Sequence, residues 1–165
     1  MKTIDQKIIN SAIDIFSEMY GDQITEKVAE LYKRQEGVFD VTLRTINSFK
    51  NKNSRQHLWG LILVLDYCFL NGNKKIGEIK EKSINEKLEW MQKEMMDSVD
   101  KNGHIDLFKL ALKTEQNQLL HYFTLTLGQF QDEEKFISKD ENAQFMITLL
   151  LLCFLYTDEI NKIAL

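Results

Sequence analysis

Not one of the 165 residues is proline. At an average usage of roughly 5%, about eight would be expected. Helix interiors exclude proline because it lacks the N–H and clashes with the preceding turn. A chain that is mostly helix joined by short loops leaves few positions for one. The many Lys, Asn and Ile residues suggest AT-rich coding, which lowers proline content without removing it completely. The absence therefore points to an all-α chain.

The periodicity of apolar residues agrees. Ile4, Ile8, Ala12, Phe16 and Met19, widened by Ile9 and Ile13, form one stripe of a first helix from a Thr3 cap to Tyr20, stopped by Gly21. A second helix is expected over Asp22–Glu36, with Ile24, Val28, Leu31 and Tyr32 inward and Gly37 ending it. The third covers Val38 to Lys50, and the polar run Asn51–Gln56 reads as a loop with Ser54 a cap. Leu58–Leu70 is apolar nearly all round, as a helix buried on most faces would be. Ser83 to Asp100 opens on Ser83-Ile84-Asn85-Glu86, the pattern of a capping box, with Ile84, Leu88, Met91, Met95 and Val99 inward. Ile105–Gln131 is helical with a break near Thr114–Asn117, and a last helix spans about Asp140 to Ile163.

One domain, 1–165, is expected. Ten Phe, five Tyr and two Trp supply the bulk for its core. The architecture expected is a single compact globule of about seven to eight helices with Leu58–Leu70 and Phe145–Tyr156 at the centre. Leu58–Leu70, Leu119–Phe130 and Phe145–Tyr156 echo one another, so stacked α-hairpins of the solenoid kind are the alternative.

Charges at Lys2, Asp5, Lys7 and Asp14 interrupt any signal-peptide core. The longest apolar run, Phe145–Tyr156, has twelve residues against the roughly 20 needed to cross a bilayer, and reads as a core helix. Cys68 and Cys153 both lie in apolar runs, where free thiols behave as small hydrophobes. A cytoplasmic protein with reduced cysteines is expected, a Cys68–Cys153 disulfide being the alternative.

Several constellations approach a known chemistry and fall short of it. Ser98–Lys109 resembles an EF-hand loop, with Asp100, Asn102, Gly103, Ile105 and Asp106 at its third, fifth, sixth, eighth and ninth positions. Lys109, however, stands where a bidentate Glu must close the calcium shell. The other reading is a corner in which Asn102-Gly103 stops one helix and Asp106 caps the next. His57, His104 and His121 invite comparison with the DinB-like metal proteins, but no two are four residues apart on one helix. His121, within a Leu/Phe run, reads as a core or rim histidine. Arg55 and His57 are too close for the Arg–His spacing of HEPN ribonucleases. Phosphate-binding glycine loops, a nucleophile elbow and an activated cysteine are all missing. No catalytic residue, metal or cofactor is expected.

Charge is unevenly distributed. Residues 1–82 carry a balance of +2 and residues 83–165 one of −6, giving the net −4. Arg44, Lys50, Lys52, Arg55 and His57 form one basic corner, and Lys74, Lys75, Lys80 and Lys82 another. Asp132, Glu133, Glu134, Asp140, Glu141, Asp158 and Glu159 mark the acidic half as the candidate partner-binding residues. The function expected is that of a non-catalytic module binding a protein with a basic surface. A small acidic helical protein of this kind resembles, in type and without a shared motif, the immunity proteins that neutralise bacterial nuclease toxins. Alternatives are a nucleic-acid-associated regulator using the Lys50–His57 corner, and a helical enzyme or small-ligand sensor with a cavity among the aromatics. An acidic chain without a reading helix or aromatic platform is a poor nucleic-acid candidate.

Overall fold

The two nearly all-apolar runs become the two helices on which the others lean. The computed structural model describes residues 3–72, 76–132 and 137–163, the side chains at 53 and 132 excepted. Among the described residues there are eight α-helices: α1 (Gln6–Ser17), α2 (Asp22–Arg34), α3 (Glu36–Asn47), α4 (Arg55–Gly72), α5 (Glu81–Asp97), α6 (Leu107–Leu112), α7 (Asn117–Asp132) and α8 (Lys139–Ile163). A 3-10 turn, Lys52–Ser54, leads into α4. Helix α4 packs against α1, α2 and α3, and α8 against α3, α5, α6 and α7, with α4 and α8 touching each other. The chain is thus all-α and folds as one globule about two central helices. Because α1 packs on α4 and α3 on α8, spatial neighbours are often far apart in sequence, unlike the successive hairpins of a solenoid.

Burial follows chemistry along α8. Phe145 and every residue from Thr148 to Tyr156 are buried, among them Cys153. By length and composition this helix is apolar enough to cross a membrane, yet 67% of its apolar window lies inside the fold, as in the core helix of a soluble protein. The buried carboxylate at the centre is satisfied. Tyr156 on α8 donates to Asp66 Oδ1 on α4 at 2.5 Å, and Arg34 on α2 reaches Asp66 Oδ2 at 2.7 Å. Tyr156 also stacks on Phe69, with centroids 5.0 Å apart. Cys68 and Cys153 are both buried free thiols.

Several boundaries differ from the sequence expectation, each for a tertiary reason. Asp5, rather than Thr3, caps α1, its carboxylate accepting from Lys7 N at 2.8 Å. Ile4 is left outside the helix and buried, where its N–H donates to Gln116 Oε1. Gly37 is not a helix stop. The break falls at Gln35 (φ −141°, ψ 61°), and Gly37 sits in the first turn of α3. A Cβ on Gly37 would lie 2.5 Å from the Ile79 carbonyl oxygen, so glycine is required there by close approach. The buried Gln35 amide locks that approach, donating to Gly77 O and accepting from Ile79 N, both at 2.9 Å. The Ser83–Glu86 capping box is not used either, because α5 starts a turn earlier behind Lys80. Ile79 and Ile84, both buried, occupy the positions of a hydrophobic staple there.

Tyr32 and Val99, expected inward, are exposed, as is His121. The break between α6 and α7 falls where expected and turns through Glu115 at φ 57°.

Candidate functional site

The four candidate carboxylates whose side chains are described do not form one surface. Glu133 and Glu134 lie outside the described residues, as does the side chain of Asp132 at the end of α7. Asp140 and Glu141 open α8 while Asp158 and Glu159 lie near its far end, about 27 Å away along the axis at 1.5 Å per residue.

Their local roles differ as well. Ser138 and Glu141 form the capping box of α8: Ser138 N donates to Glu141 Oε2 at 2.7 Å, and Glu141 N donates to Ser138 Oγ at 3.2 Å. The other oxygen of Glu141 accepts from Lys50 N at 2.7 Å, tying the α3–α4 connection to the start of α8. Burial works to raise the Glu141 pKa, but the N–H groups of Ser138 and Lys50 prevail and hold it below the ordinary carboxylate value. Asp158 pairs with Lys87 at 2.7 Å, and the nearly buried Glu159 pairs with Lys162. Asp140 is exposed, with no described residue as partner. Of the four described carboxylates, Asp140 is the one with neither an ion pair nor a capping role among the described residues.

The first basic corner is interrupted by the same geometry. Lys50 and Lys52 are exposed, but the Glu141 carboxylate sits against the Lys50 backbone. Arg55 is half-buried, and its Nε is buried without a hydrogen-bond partner among the described residues. His57 is exposed and lies against Phe130, with centroids 5.6 Å apart. Arg44 is exposed on α3 beside Glu36, Asp40, Glu78 and Glu81, which line the same hollow. Of the second corner, Lys80 and Lys82 are exposed, and Lys74 and Lys75 lie outside the described residues.

The Ser98–Lys109 loop is a corner. Val99 and Ile105 form an antiparallel bridge, and Gly103 takes φ 81° at the turn. Asp100 Oδ1 accepts from Asn102 N at 2.8 Å and His104 N at 2.9 Å. The His104 and Asn102 N–H groups lower the pKa of this carboxylate. Asp106 caps α6 through Phe108 N and Lys109 N. Both loop carboxylates are thus engaged by backbone. Among the described residues no group of three His, Cys, Asp or Glu side chains is placed to hold a metal. Burial pushes the Cys68 thiol up to about 12 and Cys153 higher still, so neither is a nucleophile near neutral pH.

What the corner does present is apolar surface. Met96 is 74% exposed and Phe108 71%, with Val99, Ile105 and Leu112 between 41% and 49%. Half of the ten large hydrophobics exposed among the described residues thus fall in the stretch 96–112. Two ion pairs, Glu94–Lys113 and Asp106–Lys109 at 3.9 Å, lie in the same stretch, with His104 Nδ1 3.6 Å from the Asp100 carboxylate. No protein-family model, curated protein or solved structure matches this chain.

Sequence reading missed this surface because it assigned Val99 to the inner face of α5. The available signal was Leu107-Phe-Lys-Leu-Ala-Leu112. Five apolar residues in a six-residue helix are more than one face can bury, and only Leu110 is fully buried.

Proposed function

We propose that this chain is a non-catalytic protein-binding module that docks through the 96–112 corner. The observation that carries the reading is that Met96, Val99, Ile105, Phe108 and Leu112 are all exposed within residues 96–112 of one helix corner, beside the Glu94–Lys113 and Asp106–Lys109 ion pairs. Isolated exposed hydrophobics are ordinary, whereas clusters rimmed by polar groups mark interaction sites.

The acidic residues supply a second, selective element. Lys87 pairs with Asp158, and Trp90 packs against Phe154. These contacts run α5 antiparallel to α8, so the corner after α5 is carried toward the N-terminal half of α8, the end at which Asp140 stands. Asp132, Glu133 and Glu134 precede that helix in sequence. The partner favoured by this arrangement has an apolar patch flanked by Lys or Arg side chains. An inhibitor of the immunity or antitoxin kind, covering a basic active surface, is the specific form of this reading.

The test is comparative affinity capture from the cell of origin, with Phe108→Asp and the Glu133→Lys/Glu134→Lys/Asp140→Lys triple variant beside the unaltered chain. The proposal requires Phe108→Asp to lose a captured partner while keeping its helical circular dichroism and melting temperature. The charge reversals should slow association and alter its salt dependence. Glu141 is left intact because its carboxylate caps α8. If Phe108→Asp retains every partner, the corner is not the docking site.

A further inference from the structure

A cleft of about 230 Å³ opens between α1, α4 and α7, away from the corner. Its walls carry four aromatic rings, those of Phe16, Tyr20, Tyr122 and Phe130, with His57 beside Phe130 and Gly60 from α4. An apolar cavity of about 150 Å³ holds benzene, so the space here suits a planar molecule of two fused rings. Among the described residues no Asp, Glu, Lys or Arg lines the cleft, and from them an ionised ligand would find no counter-charge. Ser17 and Thr126 use their hydroxyls on carbonyls of their own helices, donating to Asp14 O and Tyr122 O. Gln56 and His57, both exposed, supply the polar edge.

Gly60 contributes to the room in the cleft. Glycine in a helix interior costs about 1 kcal/mol relative to alanine, and close packing is the usual reason for accepting it. Gly37 has that reason, whereas a Cβ on Gly60, like one on Gly128 inside α7, would meet no atom within 4 Å; of these two open positions Gly60 is the one that lines the cleft. The position is sterically free, in the second turn of the central helix α4, and lines the cleft. The missing side chain keeps that space open.

We infer that this cleft is a binding site for a small, neutral, planar heteroaromatic molecule. Its rings lie among Phe16, Tyr20, Tyr122 and Phe130, and its polar edge faces Gln56 and His57. The site is independent of the protein-docking corner, and either assignment can fail without the other.

The test is an NMR titration of the isotope-labelled full chain with indole as the probe. Saturable shifts are expected at the amides of Gly60, His57 and Tyr122, with the 96–112 corner unmoved. Gly60→Leu fills the space and should weaken indole at least tenfold without lowering the melting temperature. Tyr20→Ala, at a lip residue 67% exposed and so of little weight in folding, should weaken it about threefold. Gly128→Ala, off the cleft, should bind as the unaltered chain does. Indole-3-acetate, which adds a carboxylate, should bind less tightly than indole. Absence of saturable shifts at cleft residues up to millimolar indole would overturn the assignment, as would an unchanged affinity in both Gly60→Leu and Tyr20→Ala. Tighter binding of indole-3-acetate would overturn its neutral character.

Discussion

Asp66 occupies a place where a carboxylate is hard to keep, 4% exposed and the one charged residue in the run Leu58–Leu70 of α4. It is held there by the Tyr156 hydroxyl and the Arg34 guanidinium, which join α8 and α2 to α4. Removing the donor while leaving the carboxylate should be costly. Tyr156→Phe is expected to lower stability by about 1–3 kcal/mol in urea unfolding, without changing the slope.

The thiols make a prediction about pH. Burial raises both above the ordinary value, so protonated Cys68 and Cys153 favour the folded state. That contribution is complete below the unfolded-state value of about 8.5 and is lost as pH rises toward the folded value, about 12 for Cys68. Between pH 8 and pH 10 the chain should lose about 1–2 kcal/mol per thiol. A Cys68→Ala/Cys153→Ala variant, less stable at the outset, should show a flatter alkaline decline over that range. Equal slopes in the two proteins would place the alkaline sensitivity elsewhere.

At the scale of elements, helix type was legible and helix ends were not. The apolar periods of Leu58–Leu70 and Phe145–Tyr156 are local and strong, and α4 and α8 contain them. Ends depend on partners distant in sequence. Gln35 breaks the chain between α2 and α3 because its amide is needed at Gly77 and Ile79, more than 40 residues away. Two S-x-x-E patterns, Ser83–Glu86 and Ser138–Glu141, are alike in sequence. The first lies within the opening turns of α5 and the second caps α8, a choice made by the buried Ile79 preceding α5. The Gly37–Ile79 contact is the sharpest test of this level. Gly37→Ala should cost about 1–3 kcal/mol despite the better helix propensity of alanine, because its Cβ meets the Ile79 backbone carbonyl as well as the Ile84 side chain. A variant as stable as the unaltered chain would mean that α3 and the 76–79 segment are not in close approach.

For the whole molecule, the sequence is divided by charge and the fold is not. Carboxylates grouped in the second half separate to opposite ends of α8, and two of them, Asp158 and Glu159, pair with lysines. Glu141 sits against the backbone of the first basic corner. Charge counting therefore passes over the apolar corner, which emerges only when α5 and α6 are seen not to cover Met96, Ile105, Phe108 and Leu112. The most direct measurement is amide hydrogen exchange of the intact chain with and without its captured partner. Slowed exchange at residues 96–112, extending to the start of α8, is the expected result. Protection confined to other surfaces, such as the Lys50–His57 corner, with the 96–112 amides unchanged, would contradict the docking assignment.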